Sequence, residues 1–510
     1  MVKKGIGTLE KVLIAAFFLS LPVTNFPFFP PSFGGNSAFV KPLLVFPLLG
    51  LVVLVTLPRM FSRPLPRPAL LLILFFLWSV VVSVIPLLTL TLSPWREVNL
   101  LSREIRTLIT LGLACAIYFT TAFYPRSGPD LNLSLRWLYI GLAGVLLWGS
   151  LQALYVLDLI PNWYDIMSRA QRLIASRKLN PNRVSGMTYE PSSFADQLIT
   201  IWLPWVYAAA LTNTTAFRRR WKWLTVEKVL FAWTFGVLAA TLSRTGLIMG
   251  VGVLIFGITL HLIRGRLSKP DRSSTGPAPA EPSPPGWFRL NWKAALLLFL
   301  GAAVFVGLFA AFGSGSSYIS RMWNYWFAGS DRSLSDYLIY IGFGSRITYW
   351  RTAFRIFEAH PIFGIGLGNY TLHFPDFIPP QKLIKTPQLL NHLVPAAGRS
   401  RVITSKHFAA RILAETGLVG GAIFAVFLLL LAAGAVYLWL SDDPRKKFWG
   451  TGSLLGLAAF VGVTFSFDSF AIPNPWILFG LITAGCLVFR LEETSPASTP
   501  DPGEPPGANG

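Results

Sequence analysis

The chain alternates long apolar runs with short polar connections, many of them basic. A helix needs roughly 20 apolar residues to cross a bilayer. By that measure about twelve runs qualify: 10–29, 38–57, 69–92, 105–124, 137–160, 193–212, 228–242, 246–263, 292–313, 409–440, 449–467 and 475–490. The seventh and eighth share one apolar region of about 36 residues, too long for a single crossing. Ser243, Arg244 and Thr245 are therefore expected to form the turn of a helical hairpin. The pattern predicts an all-α, polytopic membrane protein.

Two stretches carry no such pattern. SKPDRSSTGPAPAEPSPPG and the C-terminal ETSPASTPDPGEPPGANG are rich in Pro, Ser and Gly and lack the aliphatic content to order themselves. The expected organisation is a first set of membrane helices over 1–264 and a disordered cytoplasmic insert over 265–291. A second helical region follows over 292–490, with a large extracytoplasmic loop at 314–407, and then a disordered tail over 491–510.

Composition agrees with the membrane assignment: 53% of residues are hydrophobic and only 13% charged, more apolar surface than one soluble core hides. Cys115 and Cys486 lie inside apolar runs, which argues against a disulfide framework. The run after MVKK reads as a retained span rather than a cleaved leader. Lys and Arg in short loops set orientation. With Lys3 and Lys4 inside, the inside loops carry Arg59, Arg63 and Arg67, Arg126 and Arg136, Arg218 to Arg220, Arg264 and Arg266, and Arg445 to Lys447. Arg96, Arg103 and Arg106 run against this scheme. Both termini are then cytoplasmic, while Pro161 to Ser192 and Gly313 to His407 face outward. Membrane lipids are expected partners, and nucleic acid is not.

The outer loop carries the chemistry. Its Arg and Lys residues, among them Arg346, Arg351, Arg355 and Lys406, outnumber carboxylates such as Asp336, Glu358 and Asp376, a balance that attracts anions. The same side chains also suit snorkelling to lipid phosphates. Ile347, Trp350, Phe354 and Phe357 recur at helical spacing with Arg351 and Arg355 on another face, the pattern of an amphipathic interfacial helix. A guanidinium can grip two phosphate oxygens, so a pyrophosphate leaving group could be stabilised by arginine. Glu190 and Glu415 are the carboxylates in distinctive surroundings, and no acidic cluster with metal-ligand character is seen outside. No metal or cofactor is expected.

Among the histidines, His261 falls at a span end and His360 precedes Pro361 in a turn, both structural settings. His407 sits where the loop enters the tenth span. A helix N-terminus disfavours imidazolium and favours a bound anion, so a neutral His407 suits a general base. GIGLGNY, with Gly364, Gly366 and Gly368, lacks a βαβ context and reads as a tight re-entrant turn rather than a nucleotide loop. Trp323, Trp326, Tyr337, Tyr349 and Tyr370 fit an interfacial aromatic belt or sugar-stacking platforms.

Four ordered blocks carry a family resemblance: RVSGMTYEPSSFA from Arg183, TLSRTGLIMG around Arg244, SRITYWRTAFRIFEAHPIFGIGLGNY from Ser345, and KHFAARILAETGLVGG from Lys406. Together they resemble the O-antigen ligase and O-antigen polymerase family of bacterial membrane glycosyltransferases, over about Asn180 to Gly421. The resemblance implies a lipid-sugar (GT-C-like) fold in the bacterial inner membrane, with the active site facing the periplasm. It implies metal-independent, inverting transfer of a glycan from undecaprenyl pyrophosphate to a hydroxyl on a lipid- or glycan-linked acceptor. Arg244 and Arg346 match the arginines that bind pyrophosphate, and His407 the essential histidine, as base. Arg183 and Glu190 match positions that place donor or acceptor; Arg351, Arg355, Tyr349, Trp350 and Glu415 are further candidates for substrate binding. Phe408 stands where the family often has Asn. A secondary transporter is the competing class, since about twelve spans is a common transporter architecture, but repeat symmetry and midplane charges are scarce.

Overall fold

The computed structural model describes residues 2–30, 40–62, 64–89, 100–217, 224–267, 324–325, 327, 333–340, 343–378 and 402–494. Among them the chain is helical, with one isolated bridge pairing Asn25 and Lys41. In chain order the helices are α1 Val2–Ser20, α2 Val45–Ser62, α3 Arg67–Thr89, α4 Leu100–Phe123, α5 Gly128–Val156, α6 Tyr164–Ile174, α7 Pro191–Thr212 and α8 Val226–Ala240. They continue with α9 Arg244–Leu267, α10 Leu334–Tyr340, α11 Gly344–Ala359, α12 Tyr370–Phe377, α13 Phe408–Leu440, α14 Pro444–Val463 and α15 Pro473–Thr494.

Eight of these, α2, α3, α4, α5, α7, α9, α13 and α15, are long and apolar enough to cross a membrane. Three further expected spans also coincide with helices that miss that measure. α1 carries Lys3, Lys4, Glu10 and Lys11, α8 has 15 residues, and α14 opens on Arg445, Lys446 and Lys447. The expected span at 292–313 lies outside the described residues, as do most of the insert and the tail. α7 and α15 form the centre, with 83% and 78% of their most apolar windows buried, against 28% for α9 at the periphery. Trp202, Trp205 and Trp476 are fully enclosed there.

Boundaries shift where polar partners exist. α15 continues through Thr494 into the expected tail because Glu492 and Glu493 pair with Arg445 and Lys446. α9 runs past the expected boundary to Leu267. The hairpin between α8 and α9 forms as expected, but its turn is Thr241 to Ser243, with Leu242 at φ 49°; Arg244 opens α9 instead of sitting in the turn.

One end of the bundle gathers basic side chains on helix ends. Arg59 donates to the carbonyls of Phe123 and Tyr124 and pairs with Glu10, while Arg264 reaches the carbonyls of Trp439 and Ser441 and pairs with Asp442. Because α9 and α13 both end there, their first residues, Arg244 and Phe408, lie at the other end.

At that second end α13 is broken. Gly417 adopts φ 65°, ψ −168° within it, which frees backbone groups in an apolar helix, where each unmet group is costly. The GIGLGNY segment and the residues just before it supply their partners: Ile365 N donates to Ala414 O at 3.1 Å, Gly366 N to Glu415 O at 3.0 Å, and Leu418 N to Pro361 O at 2.7 Å. The expected tight turn is therefore present and docks on a helix break. Gly364 has φ +70°, and a Cβ there would stand 2.6 Å from the Glu415 carbonyl carbon and the Gly417 nitrogen. Gly364→Ala is expected to destabilise the protein by about 1–3 kcal/mol, from a disfavoured φ and a backbone clash. Thermal melting in detergent followed by tryptophan fluorescence checks this; an unchanged melting temperature would contradict it.

Candidate active site

His407 is the N-cap of α13, and the segment before it is firmly held. Lys406 takes a left-handed φ of 56°. Its N–H donates to Asp468 Oδ2 at 2.8 Å, and the Ser405 hydroxyl donates to the same oxygen at 3.1 Å. Burial pushes the Asp468 carboxyl up, but Lys406 and Arg411 outweigh it and hold the group below its ordinary value. Arg411 also donates to the Asp468 carbonyl at 2.5 Å and pairs with Glu415 at 2.9 Å.

The imidazole is itself part of the cap: Nδ1 accepts the Ala410 N–H at 3.2 Å. A nitrogen that accepts carries no proton, so the neutral ring bears its proton on Nε2. Burial lowers the pKa of His407, against smaller raising effects from its own backbone and Asp468. The neutral form is thus favoured, as expected for a helix N-terminus. The ring stands edge-on to Trp350 and Phe465, with centroids 5.2 and 4.7 Å away.

Phe465 connects His407 to the arginines. Its carbonyl accepts from Arg346 Nη1 at 3.1 Å, and Arg346 occupies the first turn of α11, over the Phe343 ring. The next residue, Ser466, donates to Asp196 Oδ2 at 2.7 Å. Asp196 lies in α7, interacts electrostatically with Arg346, and follows Ala195. A Cβ on Gly246 would lie 2.5 Å from Ala195 Cβ, which places the first turn of α9, begun by Arg244, against this part of α7. Arg183 donates to the carbonyls of Thr241 and Leu242 at 2.9 and 3.3 Å. It ties down the turn from which Arg244 emerges. Residues from four separate blocks of sequence therefore meet at one end of the bundle.

Several expected binding residues play other parts. Tyr349 is buried, packs at a tilt against Phe374 and lends its carbonyl to the Tyr370 hydroxyl at 2.8 Å, so its ring is core. Glu415 is buried in its pair with Arg411 and offers a substrate nothing accessible. Glu190 precedes α7, accepts from Ser192 Oγ at 2.6 Å and lies 3.8 Å from Arg177. Arg351 and Arg355 are exposed, with Arg355 3.4 Å from the Phe377 carbonyl. The buried face of α11 is Thr348, Tyr349, Thr352, Ala353 and Ile356, whereas Phe354 is exposed. The expected apolar stripe through Phe354 is thus rotated, because α11 packs on α12 and the start of α13 through small and β-branched residues. Trp350 does border His407 and donates to the Lys406 carbonyl at 3.4 Å.

Three features escaped the sequence reading. Asp468 and Arg411 carry no distinctive spacing. Arg103, which ran against the charge scheme, donates to the Gly368 carbonyl at 3.1 Å and holds the glycine turn. Asp196 had a legible signal, an ionisable group inside an apolar span. Phe408 is explained by an aromatic cluster with Phe424, Phe460, Phe467 and Phe470, where Asn would leave a buried amide.

No protein-family model matches the chain, and no curated protein does.

Proposed function

We propose that this protein is an inverting, metal-independent membrane glycosyltransferase that moves an oligo- or polysaccharide from undecaprenyl pyrophosphate to an acceptor hydroxyl. The observation that carries the reading is the Phe465–Ser466 segment, which bonds Arg346 through the Phe465 carbonyl and lays the Phe465 ring against His407. Fixed guanidinium groups stabilise charge that grows on a departing pyrophosphate without reorganising. Arg346 and Arg244 fill that role, with Arg183 positioning Arg244. A neutral His407 keeps its remaining N–H, on Nε2, as a further hydrogen-bond donor at this end of the bundle. The basic side chains at the far end support a cytoplasmic placement of that end, which leaves the site on the extracytoplasmic face of a bacterial inner membrane. Both termini are then cytoplasmic.

A ligase and a polymerase differ in the acceptor, lipid-linked core or protein for one and a second lipid-linked repeat for the other. Deleting the gene tests the function and separates the two. Accumulation of long unattached chains identifies a ligase and single repeat units a polymerase; unchanged surface glycan refutes both.

A further inference from the structure

We propose that α6 is seated in the membrane, its free apolar stripe among the lipid chains of the leaflet at the end where His407 lies, an inference independent of the proposed glycan transfer. This short helix shows three faces. Met167 and Gln171 are buried against the protein. Beside them Trp163, Ile166, Ala170 and Leu173 recur at helical spacing, with Trp163 48%, Ile166 62% and Leu173 66% exposed. The third face carries Asp165, Arg169 and Arg172, all exposed.

Contacts with α5 fix the level of the helix. α5 begins beside the start of α14, since a Cβ on Gly128 would lie 3.4 Å from Arg445 Nη1. Its other end, at Val156, therefore lies at the end of the bundle where α13 starts. There the Tyr164 ring meets Tyr155, with centroids 5.7 Å apart. Two turns later Gln171 Oε1 accepts from Trp148 Nε1 at 2.9 Å and from Gln152 Nε2 at 3.1 Å. α6 thus runs back along the last turns of α5 instead of standing away from the bundle. On those same turns Leu147, Leu151 and Leu154 are exposed, and α5 is long and apolar enough to cross a membrane. An apolar stripe at the level of a span's exposed leucines meets lipid, not water.

The polar chemistry fits the same occupant. Arg169 borders the stripe, where a long cationic side chain reaches back to lipid phosphate. Trp163 and Tyr164 are the residue types that collect at a membrane boundary. The buried face gives the seat a structural consequence. Gln171 Nε2 donates to the Gly186 carbonyl at 3.4 Å, and Gln152 Oε1 takes the Ser185 and Gly186 N–H groups. The segment that carries Arg183 is thereby held at a set height relative to the lipid surface.

The test places the purified full-length protein in phospholipid vesicles with one nitroxide label at a time, on Ile166→Cys, Leu173→Cys, Asp165→Cys or Arg172→Cys. Cys115 is buried and escapes the label, and Cys486→Ala removes the other native thiol. Collision with oxygen, which gathers in lipid, against a nickel chelate confined to water reads the depth of each label. Labels at Ile166 and Leu173 are expected about 5–10 Å below the phosphates, and those at Asp165 and Arg172 at the phosphates or above. All four side chains are exposed, so the substitutions should leave the fold intact, which tryptophan-monitored melting checks. Labels at Ile166 and Leu173 as open to the chelate as the other two overturn the proposal. Four labels shielded from both probes overturn it as well, since they mark a helix covered by protein.

Discussion

Arg346→Ala is expected to lower glycan transfer, the proposed activity, by a factor of about 100 to 1,000, with little change in melting temperature. The magnitude is that of removing one preorganised donor from a developing oxyanion. Stability should hold because Arg346 sits at the partly exposed start of α11 and its bond goes to a surface carbonyl, that of Phe465. Arg346→Lys keeps the charge but loses the planar two-point grip, so it should recover only part of the rate. Rates at saturating donor separate this from weakened binding. If Arg346→Ala transferred at the wild-type rate, the pyrophosphate role would fall.

His407 gives the second large effect, and here the cap allows two functions to be divided. Asn is among the best N-cap residues, whereas Ala loses the cap at a cost of about 0.5–2 kcal/mol. His407→Asn is expected to melt near wild type yet transfer about 100-fold more slowly, since the Nε2–H is gone. His407→Ala should lose both rate and stability. Acid supplies a further check. The folded pKa lies below the ordinary 6.5, so between the two values the unfolded chain binds more protons and stability rises with pH. The neutral ring's contribution is therefore complete above about pH 6.5 and is lost as pH falls through the folded value. Wild type should lose stability faster than His407→Asn on acidification through that window; parallel curves would contradict the cap.

Much of the fold was legible because membrane spans announce themselves by length and apolarity. That α8 and α9 form a hairpin followed from length alone, though its turn falls at 241–243 and not at the expected 243–245, and the placement of His407 at a helix start followed in the same way. What could not be read were contacts between distant segments. Tyr349 and Trp350 are adjacent, yet one is core and the other borders His407, because α11 packs through Tyr349, Ala353 and Ile356. Glu415 looked functional by its surroundings, but Arg411 one turn earlier neutralises it. The partnership of Asp468 with Ser405 and Lys406 spans about 60 residues and depends on strain at Lys406 that no local pattern encodes. Asp196 was visible as a charge in an apolar run, but its contact with Ser466, 270 residues away, was not.

On the proposed function, one end of this bundle breaks the bond between a glycan and undecaprenyl pyrophosphate. The most direct measurement incubates purified wild-type protein in lipid nanodiscs with an undecaprenyl-pyrophosphate oligosaccharide and an acceptor glycolipid, with and without EDTA. The expected result is equal formation of free undecaprenyl pyrophosphate and a new glycosidic bond of inverted configuration, unaffected by EDTA and lowered by a factor of about 100 or more in Arg346→Ala. Intact donor after incubation with folded protein, together with solute flux in proteoliposomes that persists in Arg346→Ala, would contradict it and identify a transporter.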